Sequence, residues 1–347
     1  MDIEKLEKYL GEIGEKSFRI KQIRKAVFVD GISSFEEIST LSKELRKKLD
    51  ENFKILSFSA ENILEAKDGQ SVKALLELSD GNFLETVLIS PKPGDWSVCV
   101  STQVGCAMGC RFCATGKMGF KRNLTAEEIT DQVLFWRQYL NGIKNLKFKI
   151  KNCDISNVVY MGMGEPFNNW KEVSESIRIL TNKDLFAFGS RSISVSTSGI
   201  AEGIEKLASE FPQVNLAISL HFANDKKRDE FMPVNKKDNL ESLKIALQKY
   251  FQKTKRKVFV EYILLEDAND TKEDAQELAR YLKSIGNTHL LHVNLIGYNT
   301  TSGDFRSSSG NRTHKFKEYL LLGGINATIR KSLGEEIKGA CGQLATR

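Results

Sequence analysis

From residue 97 onward the chain alternates short apolar segments with longer amphipathic ones. The strand candidates are SVCVST, SNVVYMG, RSISVST, VNLAISLH, KVFVEYILL, HLLHVNLI and NATIRK. Helical candidates lie between them, at 125–140, 170–182, 201–209, 238–251, 271–284 and 311–322. Repeated β-α units build a parallel sheet or barrel, with functional groups at the C-terminal ends of the strands. Because MGMGE, STSG, SLH and GYN stand at such ends, we predict a site at that rim.

The residues before this alternation form two smaller parts. Residues 1–52 have apolar residues at helical spacing and are predicted to form a small helical domain, whose basic residues are suitable for phosphate contacts. Residues 53–95 contain short β-rich segments separated by KDGQ and SDGN, which predict an antiparallel unit. SPKPGDW at 90–96 is interpreted as a linker to the third part, 96–347. The predicted fold is therefore α/β, a parallel sheet or barrel with a helical domain and a short β unit before it.

Composition bears on location and partners. No apolar run approaches the roughly 20 residues that span a bilayer, and the charged N-terminus lacks the pattern of a signal peptide. We therefore expect a cytoplasmic protein without a membrane partner, whose thiols are reduced. The net charge of +6 is concentrated in KSFRIKQIRK at 16–25, in KTKRK at 253–257 and in a cluster of lysines. That cluster consists of Lys144, Lys147, Lys149 and Lys151. Solvated surface explains any one cluster, and together they raise nucleic acid as a partner.

Three cysteines, Cys106, Cys110 and Cys113, are spaced C-x3-C-x2-C. Structural zinc usually takes four ligands, whereas a four-iron cluster held by three thiolates leaves one iron open to a substrate. Cys99 lies shortly upstream, and Cys153 belongs to no recognisable motif. Glycines allow the loop to curl at Gly105, Gly109 and Gly116.

With these motifs the chain resembles the RlmN/Cfr family of radical S-adenosylmethionine (SAM) RNA adenine methyltransferases. The resemblance extends from FRIKQIRKAVF to CGQL and includes LETVLI, CVSTQVGC, CRFCATG, MGMGEP, STSG, SLH, MPVN and NLIGYN in the family's order. It implies a radical SAM partial barrel with a [4Fe-4S] cluster and SAM as cofactors. Cys106, Cys110 and Cys113 are the implied cluster ligands. The implied SAM contacts are Gly164, Glu165, Ser196, Ser219, Leu220, His221 and Asn299.

The resemblance also implies a mechanism that uses two SAM molecules. Cys341 takes a methyl group from the first, and a radical made from the second removes a hydrogen from that methyl. The carbon radical then adds to the electron-poor adenine carbon. Glu85 is the implied proton acceptor, and Cys99 is the thiol that releases the RNA and leaves a transient Cys99–Cys341 disulfide. Without the family, Glu85 would be interpreted as a solvent-facing strand residue.

The implied substrate is an adenine of 23S ribosomal RNA, methylated at C2, with certain transfer RNAs as further substrates. Pro166 and the ending RKSLGEEIKGACGQL favour this branch over the C8-methylating, antibiotic-resistance branch, which stays an alternative. A flavodoxin or ferredoxin is the expected electron donor, and a monomer the expected state. A non-catalytic zinc-binding RNA-binding protein is an alternative from another class, but it leaves MGMGEP, SLH and ACGQL unexplained.

Overall fold

A computed structural model describes residues 1–146, 154–301 and 304–345 of the chain. Lys147, Lys149, Lys151 and Cys153 lie outside these residues. No helix in the described part of the chain combines the length and apolar character needed to cross a membrane.

The described residues form one large sheet, a separate two-stranded sheet and eleven α-helices. The strands are β1 (Phe58–Glu65), β2 (Ser71–Leu78), β3 (Phe83–Lys92), β4 (Asp95–Cys99), β5 (Gln103–Gly105), β6 (Phe120–Asn123), β7 (Ile155–Tyr160), β8 (Ile193–Thr197), β9 (Asn215–Ser219), β10 (Val258–Leu264), β11 (Leu291–Gly297) and β12 (Ala327–Arg330). The helices are α1 (Ile3–Glu12), α2 (Phe18–Arg24), α3 (Lys43–Asn52), α4 (Ala114–Lys117), α5 (Ala126–Leu146), α6 (Trp170–Thr181), α7 (Ala201–Glu210), α8 (Asp225–Phe231), α9 (Leu240–Lys253), α10 (Lys272–Ile285) and α11 (Gly310–Leu322).

The large sheet is parallel over most of its width. Its order is β1-β2-β3-β4-β7-β8-β9-β10-β11-β12, and all neighbours from β4 to β12 pair in parallel. The first four strands pair antiparallel. Among the described strands β1 and β12 are the two edges, so the sheet stays open. The predicted α/β partial barrel is confirmed, and the C-terminal ends of its parallel strands lie along one rim.

The segment 90–96, expected to be a linker, is instead a tight hairpin. β3 and β4 pair across it with Lys92 opposite Asp95, and Gly94 makes the turn with φ +89°. Pro91 lies where the register shifts between Ile89 and Lys92. A proline is tolerated in a strand at such an irregularity, because no ladder hydrogen bond is required of its nitrogen. The antiparallel unit is therefore continuous with the parallel sheet.

The longer helices cover the sheet because each has one apolar face. In α10, Ala275, Leu278, Leu282 and Ile285 recur at helical spacing and are all buried. β10 is buried at most of its positions, as expected for a parallel strand inside the sheet. The six helices predicted from the sequence are present as α5, α6, α7, α9, α10 and α11.

Two short helices at the rim, α4 and α8, were not predicted. The α8 sequence DKKRDEF has only one apolar residue and no helical periodicity. Its helix starts at Asn224, whose side chain accepts a hydrogen bond from the Lys227 amide (3.2 Å). Capping and tertiary contacts, rather than an apolar face, therefore stabilise it.

Candidate active site

The strand ends gather the polar residues that the motifs singled out. The Ser196 and Ser219 hydroxyls, at the ends of β8 and β9, lie 3.3 Å apart. Beyond β7, Glu165 Oε2 accepts hydrogen bonds from the Ser198 amide (2.7 Å) and hydroxyl (2.8 Å). The parallel register carries these groups to the same edge, which brings the sequence-predicted residues together.

Glu165 is bound within the protein through both of its carboxylate oxygens. Oε1 accepts from the Phe167 amide (3.1 Å), while Oε2 is held by Ser198. The side chain is buried, and this burial raises the pKa of Glu165 despite these bonds. Its carboxylate therefore also joins the loops after β7 and β8, which the motif did not indicate.

Gly164, beside it, is required by close packing. Its φ is +99°, and a Cβ there would lie 2.6 Å from the Cβ of Gln103. Gln103 Oε1 accepts from the Glu165 amide (2.9 Å), which holds the MGMGE loop against β5. A side chain at position 164 would push this loop away from the rim.

His221 stays neutral at the rim. Its Nδ1 accepts from the Ile263 amide (3.1 Å), and burial together with the nearby Arg228 charge lowers the pKa of His221 to about 3. Its ring meets the Phe112 ring edge-on at 5.0 Å between centroids. Since Phe112 lies between two of the clustered cysteines, His221 links the strand ends to the cysteine loop.

The cysteine loop is folded by its glycines. The Cys106 amide donates to the Gly119 carbonyl (2.9 Å), and the Cys113 amide donates to the Cys110 carbonyl (3.1 Å). Gly105 has φ +73°, and a Cβ there would lie 1.9 Å from the Gly119 oxygen. A Cβ at Gly116 would lie 3.0 Å from the Cys110 nitrogen. The turns therefore depend on glycine.

The three thiols of the loop fit an iron–sulfur cluster. Burial raises the pKa of Cys106 to about 12 and raises that of Cys110 further, with the neighbouring thiols adding to both. Metal-free thiols here would therefore be protonated, whereas iron binds thiolates and compensates their charge. No three His, Cys, Asp or Glu side chains of the described residues converge on the position of a single metal ion. A four-iron cluster binds its thiolates at separate corners and places no such demand.

The C-terminal segment lies across the loop and positions Cys341. Gly342 O accepts from the Ala114 amide (2.8 Å) and Leu344 O accepts from the Thr115 hydroxyl (2.6 Å). Asn299, after β11, donates from Nδ2 to the Cys341 carbonyl (3.1 Å). The Cys341 side chain reaches solvent, yet the surrounding protein is dense enough to raise the pKa of its thiol, with Glu261 adding to this effect.

Cys99 lies near Cys341, although the two are far apart in sequence. It is half-buried at the end of β4. Burial raises the pKa of its thiol, and the second contribution comes from Cys341. Both cysteines are free thiols in the structure.

Glu85 is buried. The alternative interpretation of Glu85 as a solvent-facing strand residue is therefore wrong. Glu85 is 4% exposed, and its Oε1 accepts from Lys73 Nζ at 2.7 Å. Oε2 accepts from the Ala345 amide (2.7 Å), so the segment that carries Cys341 also reaches Glu85. Leu75 is opposite Glu85 on β2, and Lys73 lies diagonally across from it.

Sequence reasoning missed three charged residues of this site: Lys73, Arg228 and Glu261. Lys73 is in β2, the strand SVKALLEL, which pairs with the strand of Glu85. The antiparallel register of these two strands could have indicated that Lys73 and Glu85 lie on the same face. Arg228 is fully buried in α8. Glu261 is in β10, where it accepts from Asn294 Nδ2 (2.9 Å) and acts on the Cys341 thiol. No motif indicated Arg228 or Glu261.

Comparisons with known proteins show which family the chain is related to. The family model described as "Radical SAM superfamily" matches residues 100–282, and that of the "Ribosomal RNA large subunit methyltransferase N-terminal domain" matches residues 1–55. The chain is 43% identical, over its full length, to a probable dual-specificity RNA methyltransferase RlmN of Carboxydothermus hydrogenoformans, of which it covers 97%. It belongs to the RlmN/Cfr family.

Relatives with both family names match this RlmN/Cfr chain closely. The ribosomal RNA large subunit methyltransferase Cfr of Clostridium botulinum (strain Okra) is 40% identical, with 98% of this chain and 96% of that protein covered. The crystal structure of a radical SAM methyltransferase from Sphaerobacter thermophilus superimposes with a TM-score of 0.91 at 37% identity, covering 100% and 98% of the two chains.

Membership in this family makes the chain a radical SAM RNA methyltransferase that uses a [4Fe-4S] cluster and SAM. It also overturns the alternative of a non-catalytic zinc-binding protein.

Proposed function

We propose that this RlmN/Cfr chain methylates C2 of an adenine in 23S ribosomal RNA, and of an adenine in certain transfer RNAs, in the cytoplasm. One observation supports this most strongly. Glu85, Cys99, the cysteine loop and Cys341 come from separate parts of the sequence, and the C-terminal segment connects them. Its Gly342 carbonyl accepts from the Ala114 amide of the loop, its Ala345 amide donates to Glu85, and Cys341 contributes to the raised pKa of the Cys99 thiol.

The rim residues would hold the cofactors. Cys106, Cys110 and Cys113 bind the cluster in this proposal. Gly164, Glu165, Ser196, Ser219, Leu220, His221 and Asn299 contact SAM. When bound, cluster and SAM supply the radical chemistry that an electron-poor adenine carbon requires. The neutral His221 ring and the paired serine hydroxyls offer polar contacts to a ligand without adding charge.

Cys341 is the methyl acceptor in this proposal. Its sulfur forms a bond to the SAM methyl while the sulfonium–methyl bond breaks, which requires a thiolate. The side chain is open to solvent, but the dense protein around it raises the pKa of this thiol, and the Arg330 charge acts in the opposite direction. The hydrogen bond from Asn299 to its carbonyl fixes the backbone on which the methyl group is carried.

Glu85 and Cys99 complete the reaction. A base must remove the proton from the ring carbon after the methylene has added, and Glu85, whose Oε1 accepts a hydrogen bond from Lys73 Nζ, is the proposed base. Cys99 sulfur then attacks Cys341 sulfur and a disulfide forms. The carbon–sulfur bond to the RNA breaks, its electron pair stays on the carbon, and a proton completes the methyl group. The oxidised cluster, when bound, would take up the unpaired electron of the adduct. A two-electron thiol reductant returns both cysteines to thiols.

RNA binding is assigned in part to the N-terminal helices. Several basic residues of α2 are paired with acids: Arg19 with Glu15 and Arg24 with Glu7. Lys16 and Lys21 are exposed and make no ion pair among the described residues, and the exposed Phe18 carries Arg19 over its ring. An exposed aromatic ring beside free lysines suits unstacked bases and phosphates.

A flavodoxin or ferredoxin is the proposed electron donor, and the monomer is the proposed oligomeric state.

The experiment that tests the proposal is mass mapping of methylated adenines after expression in a host that lacks its own enzyme. We expect 2-methyladenine in 23S RNA and in a subset of transfer RNAs. Methylation at C8 alone would assign the chain to the other activity, for which the match to relatives named Cfr is an argument. An unmodified RNA would contradict both.

A further inference from the structure

Arg228 is a buried cation without a carboxylate partner. The whole residue is inaccessible to solvent. Nη1 donates to the Leu220 carbonyl (2.6 Å) and to Met232 sulfur (3.2 Å), and Nη2 donates to the Ser198 carbonyl. Nε is buried and has no partner. Within the described residues every group that the guanidinium contacts is neutral.

The three acids of its own helix bond to other groups, although Asp225 and Asp229 still act on the guanidinium through space. Glu230 pairs with Arg111 at 2.8 Å. Asp225 accepts from the Leu240 amide (3.0 Å) and from Asn235 Nδ2 (3.0 Å), and Asp229 accepts from the same amide group (2.8 Å). A buried charge is costly unless an opposite charge compensates it. A neutral donor could form hydrogen bonds to the Leu220 and Ser198 carbonyls without this cost. Hydrogen bonding alone therefore does not explain the positive charge of Arg228.

The position of Arg228 is fixed and adjoins the cysteine loop. The Arg111 amide, next to Cys110, donates to the carbonyl of Phe231 at the end of α8 (3.1 Å). Gly109, the residue before Cys110, also faces the segment that follows α8, since a Cβ there would lie 3.7 Å from Pro233 Cγ. Gly199 leaves the space for the guanidinium, because a Cβ there would lie 2.8 Å from Nη2.

We propose that Arg228 is the fixed counter-charge of the iron–sulfur cluster, and that it favours the cluster's one-electron reduction. The inference rests on the proposed assignment of Cys106, Cys110 and Cys113 as cluster ligands. Three thiolates leave an oxidised four-iron cluster with a net negative charge. One electron from a flavodoxin, a ferredoxin or dithionite adds another negative charge. A nearby buried cation stabilises the reduced form more than the oxidised form.

The test compares two substitutions in the full chain after anaerobic reconstitution. R228K keeps the charge and loses the planar fork, whereas R228Q removes the charge and keeps an amide donor. The cluster potential is measured by titration with dithionite, followed by electron paramagnetic resonance. For R228Q we expect the reduction equilibrium to fall about tenfold, which is about 59 mV for a one-electron couple. R228K should remain within threefold of the wild type.

R312Q is the matched control, since Arg312 is an exposed arginine of α11 paired with Asp267 and Asp270. Its potential should equal that of the wild type. A wild-type potential in R228Q at equal iron content would overturn the inference, as would equal shifts in R228K and R228Q. If R228Q takes up no iron, the potential of R228K tests the proposal instead. A tenfold fall in the reduction equilibrium of R228K, which keeps the charge, would contradict the proposal. Failure of both variants to take up iron while folding normally would assign Arg228 to cluster assembly and likewise overturn it. Failure of the wild type to bind iron would instead contradict the proposed ligands.

Discussion

The two lone cysteines of the site differ in their surroundings, and their substitutions should differ in kind. Cys341 is open to solvent on a segment held by hydrogen bonds, while Cys99 is half-buried in β4. We expect C341A to bind iron and SAM but to give neither methylated RNA nor an adduct. C99A should accumulate protein covalently joined to RNA, detected as a gel band that nuclease treatment shifts back.

C153A is the control for these cysteine substitutions, because Cys153 lies in no motif of the family. It should methylate RNA normally. If C99A instead releases methylated RNA at near wild-type yield without a trapped adduct, Cys99 is a buried strand residue and has no resolving role.

The Lys73–Glu85 ion pair is a second feature at the scale of single residues. Both side chains are buried and their charged atoms lie 2.7 Å apart. K73M would leave a buried carboxylate without its cation. We expect it to lower the free energy of unfolding by about 3 kcal/mol, measured by urea denaturation, and to slow methylation.

The double variant K73M/E85Q separates stability from chemistry. Removing both charges should restore most of the lost stability, while methylation stays slow because no carboxylate remains. K73M with wild-type stability would show that Ala345 alone compensates Glu85.

At the scale of elements, the cysteine loop depends on one glycine conformation. A Cβ at Gly105 would lie 1.9 Å from the Gly119 oxygen, a distance that no side-chain movement can relieve. We therefore expect G105A to open the β5–β6 contact and to lose most of its iron, measured by iron and sulfide analysis after reconstitution.

Gly81 provides the matched control for this loop. Its φ is +75°, close to that of Gly105, but nothing lies within 4 Å of an added Cβ. G81A should cost about 1 kcal/mol of backbone strain and bind iron normally. Equal iron content in G105A and G81A would contradict the steric argument.

The N-terminal helix α2 carries the next prediction. Replacing the unpaired Lys16 and Lys21 with glutamine should weaken RNA binding, and the salt dependence of the affinity should fall by about one per lost phosphate contact. Binding is measured over a series of salt concentrations. The control is K47Q/K48Q, whose lysines are paired with Glu51 and Glu44 on α3. An unchanged slope in K16Q/K21Q would make this surface a solvated face only.

At the scale of the whole molecule, the Met1 ammonium joins the N-terminal domain to the sheet domain. It is buried against α5, 3.0 Å from Asp131 Oδ1 and 2.7 Å from Glu127 Oε1. Burial alone would lower the pKa of the Met1 ammonium, but the two carboxylates outweigh it and raise the pKa above the ordinary value of 8.0. The ion pairs of Met1 with Asp131 and Glu127 therefore hold the first helices against α5 as long as the amine is charged.

The sign of the resulting pH dependence follows from that raised pKa. The stabilisation is complete below pH 8 and is lost as the pH rises through the folded-state pKa. We expect the free energy of unfolding to fall between neutral and alkaline pH, measured by urea denaturation at each pH. D131N should lower the neutral-pH value by about 3 kcal/mol and flatten this decline. An equally steep decline in D131N would attribute it to other groups.

The sequence alone determined the elements and the candidate residues. The β-α alternation predicted a parallel sheet or barrel and six of its helices, because apolar periodicity is a local property. The cysteine spacing and the motifs at the strand ends indicated the cluster loop and the rim. They could do so because parallel strands bring their C-terminal ends to one edge whatever the details of packing.

Only the tertiary structure decided which charges are buried and what they face. Lys73 and Glu85 are polar residues of ordinary strands until the β2–β3 register joins them, and Arg228 belongs to a helix too polar to predict. The hairpin at 90–96, the placement of Cys99 near Cys341, and the pairing of Met1 with Asp131 depend equally on segments distant in sequence. Desolvation and Coulomb interactions act through space, so their strength at a residue follows from its neighbours in the fold and not from its neighbours in the chain.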